Sequence, residues 1–281
     1  MGREVETVIE PAGLEVTPRK IEIAISPDTP RYWFDGHPFK THYFNALSST
    51  FPVGERFFVR SVRHYLDDID SDSLKQKVNN FVSQEGRHSI EHDAHIELLL
   101  AQGYPGIRRF ERVDKVVLDF LNRHFPRFAL AATISLEHFT AILANELLEY
   151  PERWISPMHE DMRLLWQWHS IEETEHKAVA FDVYQEVCGS YSLRVLAMVV
   201  ETIGLLLDVL IRVGYLLWKD GLFWQPRIWW QGIRFVWGKH GALRSILKDY
   251  FRFYRRDFHP WKANNYHLVK EFLEAHHADF K

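Results

Sequence analysis

The greatest chemical potential lies in the run Trp166-Gln167-Trp168-His169-Ser170-Ile171-Glu172-Glu173-Thr174-Glu175-His176. Side chains three and four positions apart share one face of a helix, so His169, Glu173 and His176 form a single stripe of metal-capable groups. A second run, Gln84-Glu85-Gly86-Arg87-His88-Ser89-Ile90-Glu91-His92, repeats the Glu-x-x-His spacing at Glu85 and His88, and His92 and His95 continue its face. Two such helices, each joined by an inward glutamate from another helix, build the site that holds two iron or manganese ions in ferritin-like four-helix bundles. Glu55 and Glu137 supply the missing carboxylates, giving the chain order Glu, Glu-x-x-His, Glu, Glu-x-x-His.

Helical phase separates these residues from their neighbours. Glu55 shares a face with Phe58, Val59 and Val62, an arrangement that is costly for an ionisable group unless it is partnered. Glu137 has Thr133, Ala141 and Ala144 on its face, small side chains that leave room for ions or a substrate, whereas His138 points about 100° away. Glu172 and Glu175 rotate off the stripe toward supporting or surface positions. His169 has two readings, a ligand that adds nitrogen to one ion or a residue that orients Glu173. A third Glu-x-x-His, Glu274 to His277, sits in a polar terminus without an apolar stripe and is set aside.

The elements that must position these groups are helical. Helices are expected over 55–66, over 72–102 behind the N-cap Ser71 and ahead of Gly103, and over 110–125. Two more follow, 126–148 opened by Pro126 and 158–187 ended by Gly189, with a short one at His42–Leu47. Phe51-Pro52-Val53-Gly54 reads as a break before Glu55, and 151–157 as a connector. Residues 1–30, with Pro11, Pro18, Pro27 and Pro30, read as an extended arm with an edge strand at Ile21-Glu22-Ile23.

The expected fold is therefore all-α, a ferritin-like four-helix bundle with a dinuclear metal site plus additional C-terminal aromatic helices. Its divisions are a 1–40 N-terminal arm, a 41–190 four-helix di-metal bundle and a 191–281 helical extension packed on the bundle.

The segment 195–218 is strongly apolar yet contains Glu201, Asp208 and Arg212, which argues against a lipid-spanning helix and for an amphipathic one. Those three are nearly in phase and can face the bundle or water, with Leu205, Leu206, Leu210 and Leu217 facing elsewhere. The 218–256 segment interleaves tryptophans with Arg227, Arg234, Lys239, Arg244, Lys248, Arg252, Arg255 and Arg256, against Asp249 alone from Arg227 onward. Such a stretch either packs its aromatics on the bundle or makes peripheral contact with a bilayer interface.

Composition narrows the function further. The chain has 281 residues, enough for a sizeable core, with 10 Trp, 20 Phe and 16 His. A formal net charge of -4 gives no reason to expect nucleic acid as a partner. Cys188 is the only cysteine, which excludes an internal disulfide and a Cys-based zinc site. The first residues, with Arg3, Glu4, Glu6 and Glu10, lack the apolar core of a signal peptide, so the expected location is cytoplasmic, or peripheral at the inner face of the membrane.

Carboxylate and imidazole ligands without thiolate suit iron or manganese, and also zinc. The expected cofactor is two iron ions, with manganese and zinc as alternatives. Glu85-Gly86-Arg87-His88, Leu136-Glu137-His138-Phe139-Thr140 and the run from Trp168 to Asp182 resemble the bacterial family named predicted metal-dependent hydrolases, a resemblance that spans residues 35–275. The ligand order, with a His four residues before the last Glu, is also similar to that of the arylamine N-oxygenases, ferritin-like di-iron enzymes that oxidise amines with O2. This similarity implies Glu55, Glu85, His88, Glu137, His169, Glu173 and His176 as ligands.

The function expected from these features is a non-haem di-iron oxygenase or oxidase acting on an apolar or aromatic small molecule. Its partners are O2 and an electron-donor protein. The alternatives are a di-metal-dependent hydrolase using a metal-bound hydroxide, a non-enzymatic iron-binding protein, and a purely structural helical protein.

Overall fold

A computed structural model describes residues 10–19, 23 and 25–275. Its regular structure is helical, and the β structure among the described residues is one isolated antiparallel bridge between Phe34 and Met158. The helices are α1 Pro38–Ser48, α2 Phe51–Arg63, α3 Asp72–Ala101, α4 Ile107–His124, α5 Pro126–Glu149 and α6 Pro151–Trp154. They continue as α7 Glu160–His176, α8 Val179–Val187, α9 Tyr191–Lys219, α10 Pro226–Trp237, α11 Ala242–Arg252 and α12 Tyr266–Ala275. The expected edge strand falls partly on Ile21 and Glu22, and the discarded Glu274 to His277 pair partly on His277, outside the described residues.

Local chemistry sets the long helices. Ser71 accepts a hydrogen bond from the Leu74 amide at 3.2 Å to open α3. Just past its end stands Gly103 with φ of 98°, a left-handed conformation that glycine adopts without penalty. The short helix expected at His42–Leu47 spans Pro38–Ser48, the one expected from residue 110 begins at Ile107, and the 151–157 connector holds the one-turn α6; two further differences bear on the site. The Phe51-Pro52-Val53-Gly54 stretch is the first turn of α2 and not a break, because Pro52 sits where a helix has no hydrogen bond for its amide to make. Glu55 consequently projects from inside the helix.

The single helix expected over 158–187 is interrupted between His176 and Val179. Neither Pro nor Gly marks the spot. The Lys177 ammonium instead donates to the Ala263 carbonyl at 2.7 Å and to Asn265 Oδ1 at 2.6 Å, and lies 4.0 Å from the Trp261 ring centroid.

Four helices meet around one interior: α2 packs on α3 and α5, and α7 on α5 and α3. Apolar clusters border it. One contains Phe57, Phe58, Val62, Phe81 and Ile134, and the other Trp33, Phe44, Met162, Trp166 and Trp168. Outside the four, α9 lies against α5 and α1, α11 against α5, and α10 against α1 and α11. Among the described helices, α5 is the one long and apolar enough to cross a membrane, and most of its apolar stretch is buried in the fold.

Helix α9 is apolar on both its buried and its exposed sides, and it buries Met198, Val209, Val213, Leu216 and Leu217 beside a charged residue. Arg212 is fully buried and binds Asp208 Oδ2 at 2.9 Å, Ser49 Oγ at 3.0 Å and Asp114. Leu196, Ile203, Leu207, Leu210 and Ile211 are instead more than half exposed. In α10, Trp230 and Trp237 are exposed while Trp229 packs on Phe39 and Phe223.

Removing the cation from this buried network leaves Asp114 and Asp208 uncompensated. Arg212→Ala is expected to lower folding stability by about 3 kcal/mol, measured by chemical denaturation, whereas the exposed Leu210→Ala should change it by less than about 0.5 kcal/mol.

Candidate metal centre

Each of the four packed helices turns acids or imidazoles into the shared interior. Glu55 comes from α2, Glu85 and His88 from α3, Glu137 from α5, and His169, Glu173 and His176 from α7, and all are buried. His176 Nε2 lies 3.1 Å from Glu85 Oε1, 3.5 Å from Glu173 Oε2 and 3.6 Å from Glu137 Oε2. His88 Nδ1 lies 3.5 Å from Glu85 Oε1 and 3.8 Å from Glu173 Oε1, and His169 Nε2 lies 3.3 Å from the latter oxygen. Donor atoms within 4.8 Å of one another form the groups Glu55-Glu85-His88, Glu85-Glu137-His176, His88-His169-Glu173 and Glu55-His92-His169. The structure thus brings together all the candidates that helical phase picks out.

The donor atoms fit a cation. Both carboxylate oxygens of Glu55, Glu85 and Glu137 are buried without a hydrogen-bond partner, and so are His88 Nδ1, His169 Nε2 and His176 Nε2. A buried acceptor without a donor is costly, and these point at one another. In the metal-free fold, burial and then the neighbouring carboxylates push Glu55 and Glu137 well above the usual carboxylate range. Metal ions can replace those protons.

A further layer of groups fixes the imidazoles. His88 donates from Nε2 to Glu172 Oε2 at 3.1 Å, and His176 from Nδ1 to Gln84 Oε1 at 3.0 Å. Gln84 Nε2 donates to Glu175 Oε2 at 3.0 Å. Arg19 closes the layer, with its guanidinium 2.6 and 2.8 Å from Glu175 oxygens and its amide 3.0 Å from Glu172 Oε1. Glu172 and Glu175 are therefore buried supports and not surface residues.

A second chain of bonds orients His169. With Nε2 bare, its Nδ1–H donates to His92 Nε2 at 3.1 Å; His92 Nδ1–H donates to Ser48 Oγ at 2.7 Å; the Ser48 hydroxyl donates to His95 Nδ1 at 2.7 Å. One tautomer at His169 fixes every member of this chain. Burial lowers the pKa of His95 to about 3, keeping it neutral. The Phe51 ring stacks on His169 at 4.9 Å, and Trp168 meets His88 edge-on. Thr140 Oγ1 donates to Glu173 Oε2 at 2.5 Å. His138 takes no part, since its Nε2 bonds to the Asp249 carbonyl 3.0 Å away.

Helical phase missed Arg19, Ser48, Gln84 and Thr140 as site residues. Gln84 and Thr140 adjoin the motifs and carry a positional signal, but Arg19 and Ser48 lie in segments with no spacing relation to them.

The chain matches the family described as predicted metal-dependent hydrolase over residues 17–264. No curated protein and no solved structure matches it. This family overturns the expectation of a di-iron oxygenase or oxidase. Hydrolysis, the activity that the family's description names, adds water without a net redox change.

Two outcomes are expected here. Ser48→Ala, which uncouples His92 from His95, should weaken binding of a divalent ion about 10- to 100-fold in a competition titration against a chelator. The second concerns metal-free protein. Groups with raised folded pKa values contribute stability below their ordinary values and lose it as pH rises through the raised ones. Stability measured upward from about pH 4.3, the ordinary value of a glutamate, should therefore fall more steeply in the parent than in Glu137→Gln, which has no such proton to lose.

Proposed function

The chain belongs to the family of predicted metal-dependent hydrolases, and from that premise we propose that it adds water across an electrophilic bond of a small molecule, using two divalent ions. The observation that carries this reading is the convergence of buried metal-capable atoms from Glu55, Glu85, His88, Glu137, His169, Glu173 and His176, of which the carboxylates of Glu55, Glu85 and Glu137 and the inward nitrogens of the three histidines have no hydrogen-bond partner. Glu85 is common to the Glu55-Glu85-His88 and Glu85-Glu137-His176 groups, and it would help to hold the ions together with Glu55, Glu137 and the histidines. A ferritin-like, dinuclear bundle formed by α2, α3, α5 and α7 is part of the proposal. So is its division from the arm and the C-terminal extension.

Bound there, divalent ions would supply Lewis-acid polarisation of the electrophile and a lowered pKa for water. The chain's own residues do the rest. Four carboxylates balance the charge of two such ions, and iron, manganese and zinc all suit the donor set. Glu172 and Gln84 hold the His88 and His176 rings so that Nδ1 and Nε2, respectively, face the cluster. The Thr140 hydroxyl restrains Glu173. Phe51, Trp166 and Trp168 keep bulk water away from the imidazoles, which strengthens charge interactions inside. In the reaction a water O–H bond breaks, its oxygen bonds to the electrophile, and the departing group leaves with the proton.

The test uses the full chain loaded with zinc or manganese and a panel of carboxylic and phosphoric esters. Metal-dependent hydrolysis in 18O-water should place the label in the product, and Glu137→Gln or Glu173→Ala should lower kcat/KM by more than the 100-fold typical of orienting groups. Turnover that survives metal removal, or product oxygen drawn from O2, would overturn the proposal.

A further inference from the structure

The acid and imidazole cluster has an apolar neighbour. A cavity of about 250 Å³ lies between α1, α2, α4, α5, α9 and α11, and its lining includes Glu55 of the cluster and Thr140, which bonds to Glu173 of the cluster. Its walls include Phe51, Phe58, Leu136, Phe139, Leu143 and Leu205. Val117 and Gly204 are exposed lining residues, so the opening lies between α4 and α9.

We propose that this cavity binds the single apolar chain of an amphiphile, its polar, hydrolysable end at Glu55 and Thr140 and its chain directed toward the α4–α9 opening. Taking the polar end as the reacting one rests on the hydrolase reading; the chain site itself does not.

Four observations support the occupant. Walls that are mostly apolar, with Glu55 and Thr140 at the inner end, match a molecule with a hydrocarbon chain and a polar end. A glycine inside a helix is unfavourable, and Gly204 in α9 has neither a left-handed φ nor a close neighbour to excuse it. A Cβ added there meets nothing within 4 Å, so the missing side chain leaves open space at the mouth.

Charge at the opening is also muted. Arg212 engages Asp114 and Asp208, and burial raises the pKa of Glu201 to about 7. Finally, the chain neighbours of the mouth residues are exposed and apolar: Val113 and Val116 on α4, Val200, Ile203 and Leu207 on α9. These exposed apolar side chains give a hydrocarbon chain a path to the opening beside the paired Asp114 and Asp208.

Binding is measured by calorimetric titration of the full chain, with and without zinc, using hexanoate, octanoate, decanoate and dodecanoate below their micelle-forming concentrations. Affinity should rise about fourfold per added methylene until the cavity is full. Gly204→Leu, and Leu143→Trp from the opposite wall, should each weaken decanoate binding by at least about tenfold, the equivalent of displacing about two methylenes. Leu196→Asn, on the exposed face away from the lining, should leave it unchanged.

Affinity independent of chain length would overturn the proposal, as would folded Gly204→Leu and Leu143→Trp proteins that bind decanoate like the parent. A loss in Leu196→Asn equal to theirs would place the chain on the outer face and also overturn it. Because the readout is binding, chain binding without ester hydrolysis would refute the hydrolase reading alone. Hydrolysis of short esters with no chain binding would refute the cavity proposal alone.

Discussion

The structure depends on the cost of placing Glu55, Glu85, Glu137 and Glu173 in one water-poor interior. Like charges a few ångströms apart repel strongly where the effective dielectric is low. Each carboxylate must therefore hold a proton, face a cation or accept strong hydrogen bonds. Metal-free, the fold relies on protons at Glu55 and Glu137 and on the imidazoles beside Glu173. Cations occupying the proposed site would remove that strain, so folding and metal binding are coupled through the same side chains.

That constraint explains how much of the chain serves orientation. Arg19, in an extended segment, reaches across to Glu172 and Glu175, and these with Gln84 hold His88 and His176. Ser48 in α1 does the same for His169 through His92. Were the imidazoles free to rotate, the bare nitrogens would not converge. Elements outside the four packed helices are therefore part of the site's precision.

The same fold leaves a largely apolar cavity beside Glu55, under α9. In α9, Arg212 is buried together with Met198, Val213, Leu216 and Leu217, while Leu196, Ile203, Leu207, Leu210 and Ile211 stay exposed, so apolar residues lie on both of its sides. The buried guanidinium ties α9 to Ser49 and to Asp114 of α4.

The helices and the inward acids and imidazoles were legible from period and type alone. Glu85 with His88, and His169 with Glu173 and His176, recur at three and four residues, and no other regular structure places such groups on one face. Ser71 and Gly103 marked the ends of α3 for equally local reasons. Tertiary structure decided what local rules could not. Pro52 falls in the first turn of α2, and the helix carrying His176 ends beside Lys177, whose ammonium bonds to Asn265 and Ala263 from a distant segment. Glu172 and Glu175, off the metal-capable stripe, were buried by Arg19. Phase within a helix depends only on neighbouring residues and is readable in a sequence, whereas the partner of a buried charge is chosen by packing between segments far apart in the chain.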